Sequence, residues 1–175
     1  MQSYPASLVK SIALADGTAV TLRPIRPADA EIEQEFVRNL SDESRYYRFM
    51  DMLRELSPRM LEQMTVIDYH DQMALIAVVR SAGHEVQIAV GRYVAYPNGT
   101  QCEFAIAVAD GWHRKGIASA LMRLLITSAR ERGLKTMIGE ILSSNAKMLS
   151  FAGKLGFRLA TDSADPRQIR ATLDL

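Results

Sequence analysis

A run of small and basic residues could bind an anion, because it lies where a predicted strand leads into the start of a predicted helix. The run holds Arg114 and Lys115, followed by Gly116, Ala118 and Ser119. The first backbone N–H groups of a helix have no partner within the helix, and the helix dipole favours negative charge there. Small side chains let a phosphate approach the backbone, and the two cations add attraction. The pattern predicts a phosphate-binding loop.

Two common nucleotide-binding loops do not fit this segment. The dinucleotide fingerprint needs three glycines within a βαβ unit, whereas this segment follows a predicted antiparallel meander. The ATP-binding loop ends in Gly-Lys-Ser or Gly-Lys-Thr, and the chain has Gly116-Ile117-Ala118 instead. A tight turn of purely structural importance between a strand and a helix remains an alternative.

Glu103 is the residue that we expect to handle a proton. It lies in an otherwise apolar predicted strand, on the same face as Ala105 and Ala107. A carboxylate in this position is suited to take a proton from an ammonium substrate, directly or through water. A glutamate that faces solvent from an edge strand is the alternative. Cys102 is not expected to act as a nucleophile, because the neighbouring acid would raise the pKa of its thiol.

The surrounding sequence predicts a mixed sheet with helices on its faces. The predicted strands are two short segments within 10–23, then 73–79, 85–96 with a break at Gly91, 101–109, 134–142, 157–161 and 168–173. The predicted helices are 27–40, 41–50, 58–66, 114–132 and 145–155. This order indicates an α/β (α+β) fold, with residues 1–175 forming one domain.

The composition excludes several classes of protein. The chain has 175 residues, of which 48% are apolar and 23% charged, which is typical of one folded domain. A formal net charge of +1 gives no electrostatic reason to expect a nucleic-acid or membrane partner. The single cysteine favours a cytoplasmic location, and the three histidines lack metal-ligand spacing, so we expect no metal. A homodimer is compatible with the sequence.

The loop resembles the pyrophosphate loop of the GCN5-related N-acetyltransferase (GNAT) superfamily. That pattern is Gln or Arg, two residues, Gly, one residue, and then Gly or Ala. The chain has His113-Arg114-Lys115-Gly116-Ile117-Ala118, in which His113 departs from the pattern. Residues 22–29 resemble the opening strand and first helix of the superfamily. Asn145, followed by Leu155-Gly156-Phe157, resembles its last motif.

More narrowly, three segments look like the acetyltransferase domain of bacterial Pat-type protein-lysine acetyltransferases. They are residues 40–49, 67–75 and 102–105, and the whole resemblance covers roughly residues 21–158. It implies an acetyl-CoA-dependent enzyme that moves an acetyl group to a primary amine, on a protein lysine or a small molecule. An acyl-CoA-binding regulator with little or no turnover is the alternative function.

The resemblance also implies a role for particular residues. Glu103 would be the general base, and acetyl-CoA would lie between the strand that ends at Ala109 and the strand that begins near Leu134. The acceptor amine would meet Tyr46, Tyr47 and Arg48. The implied cofactor-binding residues are Ile106, Val108, His113, Arg114, Lys115, Gly116, Ile117, Ala118, Ser119 and Asn145. The tyrosine that many members carry seven residues after the asparagine is replaced here by Ala152.

Overall fold

The computed structural model describes residues 3–175, so the first two residues of the predicted domain lie outside the described part. One sheet of eight strands runs in the order β1-β2-β3-β4-β5-β6-β8-β7. The strands are β1 Lys10–Ala13, β2 Ala19–Pro24, β3 Gln72–Ser81, β4 His84–Ala95, β5 Gln101–Val108, β6 Thr136–Leu142, β7 Arg158–Thr161 and β8 Gln168–Asp174. The α-helices are α1 Ala30–Asn39, α2 Asp42–Phe49, α3 Pro58–Thr65, α4 Ile117–Glu131 and α5 Ala146–Lys154.

The predicted mixed sheet with helices on its faces is confirmed. Neighbouring strands are antiparallel, apart from the β5–β6 pair, which is parallel. Several helix ends follow from local chemistry. The side chains of Ser41 and Ser57 cap α2 and α3 by accepting the N–H groups of Ser44 and Met60. Gly133, at φ 89°, follows α4. None of the helices within residues 3–175 is long and apolar enough to cross a membrane.

The predicted break of the fourth strand at Gly91 is wrong, because β4 continues through this residue. A Cβ atom on Gly91 would lie 2.8 Å from Cδ1 of Leu125, which belongs to α4. The glycine therefore allows the helix to approach the middle of the strand closely, which is a common role for a glycine inside a sheet.

Each face of the sheet buries its own apolar cluster. On one face, α4 contributes Leu121, Met122 and Leu125, all fully buried. The other face is covered by α1, α2 and α3, with Phe36 and Val37 of α1 in its core. Burying a side chain of this size contributes about 1.5–3 kcal/mol. Each face of the sheet thus packs against its own helices through its own apolar cluster. We refer to the two faces as the α4 face and the α1 face.

Cys102 lies on the α4 face, where it is fully buried. Burial raises the pKa of its thiol to about 12. The pKa of the thiol is therefore raised, as the sequence analysis expects, but the cause is burial and not the neighbouring acid. The neighbouring residue Glu103 points to the opposite face, because side chains alternate along a strand. A buried, protonated thiol is a poor nucleophile.

β5 and β6 separate soon after they begin to pair. Their parallel register covers three pairs and ends where Glu103 meets Ile138. Beyond this point the ring of Phe104 packs against Gly139 and lies 5.0 Å from the ring of Phe157. The remainder of β5 and the remainder of β6 therefore border an opening in the middle of the sheet, which we call the gap.

Candidate active site

The edge of β5 that borders the gap carries backbone groups free for a ligand to pair with. The N–H of Ala109 donates to the carbonyl of Ile88 in β4, at 2.8 Å. Because the polar groups of successive residues in a strand point to opposite sides, those of Ile106 and Val108 point away from β4. They face the gap, since pairing with β6 has ended by Glu103. An extended ligand could continue the sheet at this edge.

The predicted phosphate-binding loop lies at the end of β5 and leads into α4. Gly116 immediately precedes the helix with φ 82°, a conformation that glycine adopts without strain. The N–H of Ala120 is bonded to the carbonyl of Gly116, at 3.1 Å. The N–H groups of Ile117, Ala118 and Ser119 come before this bond and lie at the positive end of the helix dipole. The loop therefore has the geometry of an anion site.

The two cations of the loop differ in their surroundings. Arg114 is exposed and has φ 60°, which is unusual for a residue other than glycine. Nζ of Lys115 lies 3.4 Å from a carboxylate oxygen of Asp16, in the β1–β2 turn, and 5.7 Å from the ring centre of Trp112. The sequence did not indicate the Asp16 contact, since the two residues are far apart along the chain. Asp16 reduces the positive charge that Lys115 offers to a ligand.

His113 joins the loop to the strand before it. Its Nε2 lies 2.8 Å from the carbonyl oxygen of Val108, and donates to it in the tautomer that carries a proton there. The carbonyl oxygen of Val108 is thereby bonded to the imidazole and is not free for a ligand, while the N–H of Val108 still faces the gap. His113 therefore positions the loop through its side chain.

Asn145 lies beyond the other border of the gap, after the end of β6. Its Oδ1 accepts the N–H of Met148 at 3.1 Å and caps α5. Its own N–H donates to the carbonyl of Leu142 at 2.8 Å. The residue thus fixes the turn that leads from β6 into α5. Ala152, at the position where many GNAT members carry a tyrosine, is fully buried.

Glu103 lies at the point where the gap begins. It is paired with Val94 of β4 and with Ile138 of β6, and its side chain is exposed. β5 is the fifth of eight strands, so Glu103 does not lie on an edge strand, but its side chain does face solvent as that alternative expects. The apolar surroundings expected from the sequence are also not found. Instead the hydroxyl of Tyr96 donates to the carboxylate of Glu103, at 3.1 Å.

Tyr96 and Glu140 are polar residues near Glu103 that the sequence analysis missed. Burial and the charge of Glu103 raise the pKa of Tyr96, and the charge of Glu140 adds to the increase. Glu140 accepts a hydrogen bond of 2.7 Å from Arg170, and its Oε2 atom is buried without a partner within residues 3–175. The β4–β5 hairpin could have located Tyr96, because it lies on the same side of β4 as Val94, which is opposite Glu103, and a long side chain can reach such a diagonal neighbour.

α2 crosses the gap and is attached on both sides of it. At its start, the N–H and hydroxyl of Ser41 and the hydroxyl of Ser44 donate to the carboxylate of Asp110, which follows β5. Further along, the hydroxyl of Tyr47 donates to the carbonyl of Ser144, after β6, at 3.2 Å. Tyr46 is exposed. The predicted acceptor-binding helix is thus placed over the gap.

Arg48, the third predicted acceptor-binding residue, is half-buried in the same helix. Its guanidinium lies 4.8 Å from the ring centre of Phe49 and within electrostatic range of Glu103. The structure therefore brings together Glu103, α2 and the borders of the gap. The anion-binding loop lies at the end of the same strand. Within residues 3–175, no group of three or more His, Cys, Asp or Glu side chains could hold a metal ion.

Comparisons with known proteins identify the family of this chain. The family described as Acetyltransferase (GNAT) domain matches residues 19–158. Acetyltransferase PA5475 of Pseudomonas aeruginosa is 36% identical over 156 residues, which are 89% of this chain and 84% of that protein. Acetyltransferase Pat of Mycolicibacterium smegmatis is 32% identical over 136 residues, which are 77% of this chain and 40% of that protein.

Solved structures show the same fold. The GNAT domain of S. lividans PAT superimposes with a TM-score of 0.88 at 32% identity, covering 99% of this chain and 100% of that one. A cAMP-binding acyltransferase from Mycobacterium smegmatis gives 0.63 at 26% identity, covering 97% of this chain and 48% of that one. The chain spans less than half of that acyltransferase and of the Pat protein. It belongs to the GNAT acetyltransferase family, and it is an N-acetyltransferase.

Proposed function

We propose that the protein transfers the acetyl group of acetyl-CoA to a primary amine by direct attack, with Glu103 as the general base. The observation that carries this proposal is the position of Glu103 at the last paired residue of β5, where the gap opens. The base would thus stand next to the free backbone edge of β5. Residues 1–175 would form a single N-acetyltransferase domain. The protein would act in the cytoplasm, as its single cysteine predicts.

The residues around the gap fit acetyl-CoA. The N–H groups of Ile117, Ala118 and Ser119 would bind its pyrophosphate, because they are unpaired within the helix and lie at its positive end. The edge formed by Ile106 and Val108 would pair with the pantetheine arm as an added strand does. Once bound, acetyl-CoA would supply a thioester whose acetyl group can be transferred, with CoA as the leaving group.

Glu103 would remove the proton that keeps the acceptor amine from attacking. Amines of the lysine type are protonated near neutral pH, and only the neutral form has a free electron pair. The exposed carboxylate can accept the proton directly or through water, and can then release it to solvent. The hydroxyl of Tyr96 would hold the carboxylate in place. A backbone N–H of this edge, near Val108, would stabilise the negative charge that develops on the carbonyl oxygen, while the other groups of the edge pair with the pantetheine arm.

No covalent enzyme intermediate is needed, since the main contribution is to position two reactants. Cys102 is buried on the other face of the strand and cannot take part. The fully buried Ala152 provides no hydroxyl to protonate the leaving thiolate. Because a thiol has a pKa of about 8.5, the thiolate can leave into water without a dedicated acid.

The open surroundings of Glu103 favour an acceptor presented at a surface, such as a protein lysine. Val94 and Tyr96 flank Glu103, and they are 47% and 36% exposed. An extended lysine side chain can reach a base in such a place, whereas a small ligand is usually enclosed in a pocket. A small amine is the second candidate, and it draws support from the charged groups close to Glu103 that are described below.

The test measures the release of CoA from acetyl-CoA by thiol detection, with lysine peptides and small amines as acceptors. We expect Glu103→Gln to lower turnover by about a hundredfold or more, while acetyl-CoA still stabilises the variant against heat. Glu131→Gln, an exposed glutamate at the end of α4, is the matched control and should leave turnover unchanged. Wild-type protein that binds acetyl-CoA but releases no CoA with any amine would support the regulator alternative instead.

A further inference from the structure

The guanidinium of Arg48 has no ionic or hydrogen-bonding partner within residues 3–175. No carboxylate of the described residues lies within ion-pair distance of it, and the centre of the Phe49 ring lies 4.8 Å from the guanidinium carbon. The neighbouring helix residue Arg45, by contrast, is tied to Asp42 and to backbone carbonyls. Arginine carries five N–H donors in a planar fork, and those of the half-buried Arg48 are open to solvent, so they remain available to a ligand.

The buried carboxylate whose charge acts on Arg48 is already used by other groups. Glu33 of α1 accepts a hydrogen bond from Gln87 and forms an ion pair of 3.3 Å with Arg92. Arg92 also donates to the carbonyl of Met64. Glu33 itself is fully buried, so it cannot swing out towards Arg48. The fold therefore pairs Arg92 directly with Glu33, whereas the carboxylates of Glu33 and Glu103 act on Arg48 only from beyond ion-pair distance.

The electrostatic surroundings of Arg48 favour an added anion. Burial and the positive charge of Arg92 lower the pKa of Arg48 to about 10, and the charges of Glu33 and Glu103 compensate in part. Both effects disfavour the charged guanidinium, and the charge of a negative group placed against it would offset both. A carboxylate suits the planar fork because it can accept two parallel hydrogen bonds.

Arg48 and Glu103 together would recognise a ligand with charges of both signs. α2 packs on β5 over the gap, and the guanidinium of Arg48 is within electrostatic range of Glu103. Glu103 would face the amine that is to be acetylated. Arg48 would then face whatever lies a few bonds away from that amine.

We propose that Arg48 forms a carboxylate subsite on α2, on the same face of the sheet as Glu103, so that the preferred acceptor carries a carboxylate close to its reactive amine. This inference rests on the proposed function, whose substrate class it narrows. The carboxylate could belong to a free amino acid, or to an acidic side chain beside a lysine in a peptide. The shared chemistry is an ammonium and a carboxylate in one acceptor.

The experiment compares acceptors that differ only in this group. One pair is a free amino acid and its amide, and the other is a single-lysine peptide flanked by Glu or by Gln. We expect wild-type kcat/KM to be about tenfold or more higher for the carboxylate member of at least one pair, because a bidentate charged contact is lost in the other. Whichever pair shows the preference identifies the source of the carboxylate.

Variants then assign the preference to Arg48. Arg48→Gln should abolish the preference, because it should raise KM for the carboxylate member much more than KM for the neutral member. Arg48→Lys should restore it in part, since it keeps the charge but not the fork. Arg130→Gln, an exposed arginine at the far end of α4, is the matched control. Thermal unfolding with and without acetyl-CoA verifies that each variant folds.

The outcomes separate this inference from the function on which it rests. Absence of CoA release with every acceptor would refute the proposed function. Equal use of both members of each pair by the wild type would refute only the carboxylate subsite, and this comparison needs no variant. The subsite is also refuted if Arg48→Gln keeps the preference. It is also refuted if Arg48→Gln shifts the pH dependence of turnover with neutral acceptors, because Arg48 would then act on the protonation of Glu103 and not on a carboxylate of the acceptor.

Discussion

The ring of Phe104 lies so close to Gly139 that it leaves no room for a side chain there. A Cβ atom on Gly139 would be 2.3 Å from Cε1 of the ring. The two residues stand on β5 and β6, immediately after the last residues that pair. The aromatic ring thus fills the vertex of the gap from the α4 face and helps to hold the strands apart.

Gly139→Ala should therefore disturb both stability and ligand binding. Overpacking of this kind costs about 1–3 kcal/mol, and it would push Phe104 out of its place at the vertex. We expect a lower free energy of unfolding in urea and a smaller thermal shift with acetyl-CoA. Adding Phe104→Leu to the Gly139→Ala variant should recover part of the lost stability and part of the lost thermal shift. Gly153→Ala, at an exposed position of α5, is the control and should stabilise by about 0.5–1 kcal/mol. An unchanged Gly139→Ala variant would contradict the role of the ring.

Gly116→Ala should weaken acetyl-CoA binding because of its backbone conformation. Open space surrounds the position, so the cost comes from φ 82°, which is about 1–2 kcal/mol for a residue with a Cβ. Gly83→Ala is a matched control, since its φ is 86° and its surroundings are equally open, but it lies in the β3–β4 turn. Both variants should lose similar stability, and only Gly116→Ala should lose affinity in a calorimetric titration. Equal affinity in the two variants would place the phosphate elsewhere.

Asp16→Asn should strengthen acetyl-CoA binding by releasing Lys115 from its ion pair. The contact is exposed, so we expect a change of roughly two- to fivefold that disappears at high salt. Arg114→Ala combined with Lys115→Ala should weaken binding with the same dependence on salt. Dissociation constants at low and high ionic strength test both changes. A strengthening by Asp16→Asn that persists when Lys115 is also replaced by Ala would show that Lys115 is not its cause.

The attachment of α2 should depend on pH through Asp110. Burial raises the pKa of this carboxyl, but the hydrogen bonds from Ser41 and Ser44 outweigh it, so the pKa lies below its ordinary value of 3.8. The folded state therefore gains stability above that value and loses it as the pH falls further. We expect Asp110→Asn to destabilise the protein at neutral pH and less so at about pH 3. Urea unfolding of both proteins at the two pH values is the measurement, and an equal difference at both would contradict this linkage.

Tyr47→Phe tests whether a tyrosine protonates the leaving thiolate. Its hydroxyl reaches the carbonyl of Ser144 at the gap, which makes it the best placed of the nearby hydroxyls. We expect only a several-fold loss of turnover, because one anchor of α2 is removed while the thiolate can leave unaided. Tyr46→Phe should have no effect. A loss of about a hundredfold or more in Tyr47→Phe, with both substrates still bound, would identify the hydroxyl as an essential acid.

The sequence predicted what depends on neighbours along the chain. The caps Ser41 and Ser57 and the turn at Asp16-Gly17 placed helices and strands to within a few residues. Gly91 was misjudged because its reason is Leu125, on a helix far along the chain. The contact of Ser41 with Asp110 spans 69 residues, and that of Tyr47 with Ser144 spans 97. Local patterns contain no information about such contacts, so the bridging role of α2 emerges only from the fold.

The gap between β5 and β6 also has a consequence for the order of events in a turnover. Glu103 and Arg48 lie on the α1 face, whereas α4, with the anion-binding loop at its start, packs on the opposite face. The gap would then connect two separate entrances through the sheet, one for each substrate. Both substrates can therefore be bound at the same time, and no product has to leave before the second substrate binds. Initial-rate plots against one substrate, at several fixed levels of the other, should accordingly intersect rather than run parallel.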